Sequence, residues 1–74
     1  MGRLIRLDRT GHTTVADWSV EEAESHEAAS AALRRELEAG MLASVPRSDG
    51  SAEVVRALPV DAELVVLRRP IAGG

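Results

Sequence analysis

The chain has 74 residues, 45% of them apolar, and twelve acidic against nine basic side chains leave a formal net charge of −3. That length holds one domain at most, and a domain so small buries only about 60% of the surface its unfolded chain exposes. Cysteine is absent, which excludes disulfide staples, thiolate nucleophiles and cysteine-type zinc sites, while the acidic balance and the single aromatic residue, Trp18, disfavour nucleic-acid backbones and stacked bases.

Residues 3–7, Arg-Leu-Ile-Arg-Leu, read as a short strand. Asp8-Arg9-Thr10-Gly11 is a turn of hairpin type. Residues 12–18 return as a second strand, on the strength of β-branched residues and period-two alternation. That alternation places Thr14, Ala16 and Trp18 on one face, with Thr13, Val15 and Asp17 on the other. Ser19-Val20-Glu21-Glu22 fits a capping box, with Ser19 as N-cap and Glu22 three residues on. A helix is expected from there to about Ala39, with Gly40 closing it. At 100° per residue its inner stripe holds Ala23, His26, Ala29, Ser30, Leu33 and Leu37. Those are mostly small residues, so the helix should lie close against a sheet.

Met41–Pro46 is the third strand candidate, with Pro46 at an edge or a turn. Residues 47–51 carry an Asp-Gly turn signal, and residues 52–58 read as the next strand. Pro59-Val60-Asp61-Ala62 turns the chain again. Residues 63–68, Glu-Leu-Val-Val-Leu-Arg, form the most apolar strand and suit a central position flanked on both sides. The order ββαβββ, with one helix on one face of a small mixed sheet, is an α+β layer arrangement. If the last strand returns parallel to the first in the middle of the sheet, the architecture is a β-grasp. Residues 1–69 then form the domain and residues 70–74 a flexible tail.

At this point the chain resembles ubiquitin-like proteins. The opening hairpin, residues 4–13, has the strand, Thr-Gly turn and returning strand of ubiquitin, and the single helix follows directly. Residues 61–74, Asp-Ala-Glu-Leu-Val-Val-Leu-Arg-Arg-Pro-Ile-Ala-Gly-Gly, are similar to the end of the small sulfur carriers of molybdopterin and thiamine biosynthesis. The loop before the last strand is shorter than in ubiquitin. Asp61-Ala62-Glu63 stands where Asp-Gly-Asp is usual, and Arg68 and Arg69 replace apolar or proline positions. The resemblance implies a partner, an ATP-dependent adenylating enzyme that activates the C-terminal carboxylate. It also implies a target protein or a sulfur donor, and no resident cofactor.

On that reading Gly74 supplies the reacting carboxylate and Gly73 gives clearance, because a side chain at either position would obstruct a narrow cleft. Ile71 and Ala72, after Pro70, fit the cleft in extended form, and Arg68 and Arg69 pair with acids on the enzyme. The competing expectation is a β-grasp adaptor whose tail is never activated and which binds through the sheet face opposite the helix. That face carries either Val65 and Leu67 or Leu64 and Val66, with Arg6, Arg56 or Arg68 at its rim.

An enzyme is not expected: no Ser, His and Asp spacing suggests a triad. His12 is expected at the surface, His26 at the sheet-facing boundary, and Trp18 as the main core anchor. All nine basic residues are arginine, so only the N-terminus could accept an amide-linked modifier, which disfavours chain formation. With no run near the roughly 18 apolar residues of a membrane span and no signal-type start, the expected location is cytoplasmic.

Overall fold

In a computed structural model of the chain, residues 1–70 are described. They form an α+β arrangement of five strands and one helix: β1 (Gly2–Asp8), β2 (Gly11–Trp18), α1 (Ala23–Glu38), β3 (Leu42–Pro46), β4 (Ala52–Val55) and β5 (Leu64–Arg68). The strands make one mixed sheet in the order β2-β1-β5-β3-β4. The apolar last strand lies in the centre, parallel to β1 and antiparallel to β3. Residues 64–67 pair with β1 and residues 66–68 with β3, a central place that suits a strand whose Val65 and Leu67 are fully buried.

Register assigns the two faces. Leu4 pairs with Val65, and Ala43 pairs with both Leu67 and Val55. These residues face α1 and meet Ala29, Ala32, Leu33 and Trp18 in the core. The stripe of α1 is built from small side chains, which lets the helix sit low on the sheet. Ala32 joins that stripe, and Glu36 turns inward toward the sheet with it; Ala23, expected inside, is exposed.

The expected alternation of β2 fails at a bulge. Leu4 pairs with Ala16 but Ile5 pairs with Thr14, so Val15 is an extra residue opposite the Leu4/Ile5 step. Val15 and Ala16 consequently both pack against the core, and Thr14 is exposed. Trp18 returns to the core face, where its indole N–H donates to the Val60 carbonyl at 3.3 Å. Gly2 lies beside it, and a Cβ there would collide with the indole ring.

The helix starts later than the capping box implies. Its N-cap is Glu22, without a side-chain cap, and Ser19 and Glu22 form an isolated antiparallel bridge closed by a turn. The chain needs that turn to leave Trp18, which is anchored in the sheet, and rise onto its face. Ser25 does the local work instead: its hydroxyl accepts from the Ser19 N–H at 2.9 Å and donates to the Glu22 carbonyl at 2.7 Å. The other end follows expectation. Gly40 has φ +96°, the Gly40 N–H bonds the Leu37 carbonyl, and the Met41 N–H bonds the Glu36 carbonyl. That is a Schellman closure.

β4 is shorter than expected and ends at Val55. Residues 56–58 bend away from the ladder because Leu58 is drawn into the core, at 6% exposure. His26 fixes this bend: its Nε2 lies 2.9 Å from the Leu58 carbonyl. A carbonyl can only accept, so Nε2 carries the proton.

Candidate functional site

The parallel pairing of β1 and β5 brings the end of the last strand beside the β1–β2 turn. Arg68 pairs with Leu42 at the start of β3, and Arg69 and Pro70 follow, both exposed. Of the tail residues assigned from sequence, Ile71, Ala72, Gly73 and Gly74 lie outside the described residues. Arg68 and Arg69, adjacent in sequence, take different surroundings. Arg68 continues the alternation of Leu64 and Val66 on the sheet face away from α1. Arg69 lines a concavity of about 780 Å³ together with Arg6, Asp8, Arg9, Thr10 and Met41.

The charges in this concavity are unevenly engaged. Arg6 faces α1, where its guanidinium donates to Glu36 Oε1 at 3.2 Å. Asp8 accepts from the Thr10 hydroxyl at 2.8 Å and the Thr10 backbone N–H at 2.9 Å. The Thr10 hydroxyl, then the Thr10 N–H, hold the Asp8 carboxyl below its ordinary value of 3.8. Asp8 is thus a charged brace for the turn. Among the described residues, Arg9, Arg68 and Arg69 have no carboxylate within ion-pair distance. The placement of Arg6 corrects its expected position at the rim of the open face: it belongs to the helix side.

That open face carries Leu64 and Val66 rather than Val65 and Leu67. Register runs a row across it, from Thr14 through Ile5, Val66 and Ser44 to Val54. Val54 on the edge strand is 62% exposed. A second, more apolar concavity of about 380 Å³ lies where the C-terminal end of α1 meets the β3–β4 ladder, lined by Leu37, Met41, Leu42, Val54, Val55 and Arg56. Arg56 borders this second concavity, beside the helix end.

The sequence singles out Arg68 and Arg69 and places Arg6 at the open-face rim, but it does not show Arg9 and Met41 gathered with Arg6 around Arg69. The only available signal was the basic pattern Arg3-Arg6-Arg9 in the first hairpin. It gains meaning only once β1 is known to lie parallel to β5. His12 is exposed, and His26 is committed to Leu58. Among the described residues no three His, Asp or Glu side chains are grouped to hold a metal ion, and no helix is long and apolar enough to cross a membrane. No protein-family model, curated protein or solved structure matches this chain.

Proposed function

We propose that this chain is a ubiquitin-like β-grasp carrier or modifier. In this reading an adenylating enzyme activates the Gly74 carboxylate with ATP, for conjugation to a protein or for sulfur transfer. The observation that carries it is the strand order, in which a buried last strand runs parallel to the first and hands the C-terminus to one end of the sheet. A strand held on both sides makes a firm base for a reacting tail, and the sequence continues from it as Arg69-Pro70-Ile71-Ala72-Gly73-Gly74.

In activation a Gly74 carboxylate oxygen attacks the α-phosphorus of ATP, and the bond from that phosphorus to the departing pyrophosphate breaks. The mixed anhydride then yields AMP when a thiol, an amine or sulfide attacks the Gly74 carbonyl. The chain itself contributes no acid or base to these steps; it presents the terminus and the surface around it. Incubation with ATP, Mg²⁺ and an adenylating enzyme purified from the same cells should consume ATP and release pyrophosphate. Deletion of Gly73 and Gly74 should abolish that turnover. Equal turnover with and without the glycines rejects the reading.

The adaptor reading is favoured by one observation, the row Ile5–Val66–Ser44–Val54, apolar except for Ser44, across the face that α1 leaves open. It predicts a partner whose binding is lost in Val66→Asp and unchanged when Gly73 and Gly74 are deleted.

A further inference from the structure

The fold sorts the charges of this chain by pole. Parallel β1 and β5 both run toward the pole where the last strand ends. The C-terminal half of α1 and the end of β4 lie at that same pole, because Leu42 pairs with Arg68, and Ala43 with Leu67 and Val55. Seven of the nine arginines fall there. Arg6, Arg9, Arg68 and Arg69 sit on the sheet and its turn, and Arg34, Arg35 and Arg56 on the helix end and beside β4. Only Asp8, Glu36 and Glu38 oppose them, leaving four positive charges in excess.

The other pole holds the remaining nine acids and two arginines, an excess of seven negative charges. Glu21, Glu22, Glu24 and Glu27 open the helix, Asp17 and Glu63 flank the first and last strands, and Asp61 lies in the turn between. Asp49 and Glu53 belong to the β3–β4 hairpin. The two arginines of this pole are already paired, Arg3 with Asp17 and Arg47 with Glu53. The poles are separated by roughly 20 Å, the length of a six-residue strand, beyond one Debye length of about 8 Å at physiological salt. A partner therefore meets each pole as a distinct charge, and the net charge of −3 hides a cationic end.

We infer that this cationic pole, centred on Arg9 and Arg69, docks on an acidic protein surface that surrounds the receiving cleft for the tail. The inference rests on the carrier reading and deepens it by naming the surface that the partner must present. Charge complementarity supplies the argument. Arg9 and Arg69 line one concavity and have no carboxylate partner among the described residues, and a guanidinium can take a carboxylate in bidentate fashion. The anionic pole would be repelled by the same surface, so approach is oriented with the last strand's end foremost.

The test uses the full chain with a defined probe, a decapeptide of alternating glutamate and alanine, followed by backbone amide shifts at low salt. The expected result is shifts at residues 6–10, 41 and 68–69, with residues 17–27 and 47–53 unmoved. The double variant Arg9→Glu/Arg69→Glu should weaken binding about tenfold while keeping the wild-type amide spectrum elsewhere. Undiminished binding by that variant overturns the inference, as do shifts that spread over both poles. So does a single-stranded oligonucleotide that displaces the peptide from this pole. Salt-sensitive self-association in sedimentation would also overturn it, by assigning the cationic pole to the anionic pole of a second copy. Peptide binding without adenylation keeps this inference and rejects the carrier reading. Adenylation of the double variant at the wild-type rate does the reverse.

Discussion

Gly2 and Trp18 show how one small residue holds a large one in place. Trp18 is the largest fully buried side chain, with its indole N–H tied to the Val60 carbonyl and its ring against Gly2. Gly2→Ala should cost about 1–3 kcal/mol, because the added methyl displaces the ring from a packed site; urea unfolding checks this. Trp18 was legible as an anchor because it is the one aromatic residue in the chain. Gly2 was not, since its role depends on register between residues 16 positions apart. Two exposed carboxylates also leave a signature. Asp8 is held below 3.8 by the Thr10 hydroxyl and N–H, and Asp49 by the Ser51 hydroxyl and N–H. A depressed carboxyl contributes stability that is complete above its unfolded value and lost as pH falls through its folded value. Both turns should therefore keep their stabilisation from neutral pH down to about 4 and lose it below. Carboxyl-carbon titration by NMR should give midpoints below 3.8 for both residues; ordinary midpoints would remove the bracing role of Thr10 and Ser51.

The helix ends separate what local pattern decides from what tertiary context decides. The C-terminal closure at Gly40 was readable because positive φ at that position demands glycine and little else competes. Gly40→Ala should destabilise by about 1 kcal/mol, the penalty for a Cβ in the left-handed region. The N-terminus was misread. Ser19 satisfies the capping pattern, yet Trp18 is pinned in the sheet, and the chain must turn before the helix can start. Ser25 holds that turn with two hydrogen bonds, whereas the Ser19 hydroxyl accepts from Glu21 at 3.2 Å. Ser25→Ala should cost about 1 kcal/mol, and Ser19→Ala clearly less. Equal losses in thermal unfolding would favour the capping box after all. The bulge at Val15 and the early end of β4 escaped notice for the same reason: the core, through Val15, Ala16 and Leu58, overrides local alternation.

For the whole molecule, layer class and element order were legible because hydrophobic period and turn residues agree along most of the chain. The central place of β5 was legible from the unbroken apolar run Leu64–Leu67. The segregation of arginines to one pole was not, because it needs the parallel β1–β5 register and the direction of α1 together. Two consequences meet at the last strand: a firmly held base and a cationic surround for whatever follows it. Deletion of Gly73 and Gly74 should leave the thermal midpoint unchanged, since no core residue lies beyond Leu67 among those described. The most direct test of the account is the intact mass and C-terminal fragmentation of the chain isolated from its own cells. The expected result is a population whose last glycine carries sulfur in place of one oxygen or an amide to another protein. A terminus found only as the free carboxylate, there and after incubation with ATP and an extract of the same cells, would contradict it.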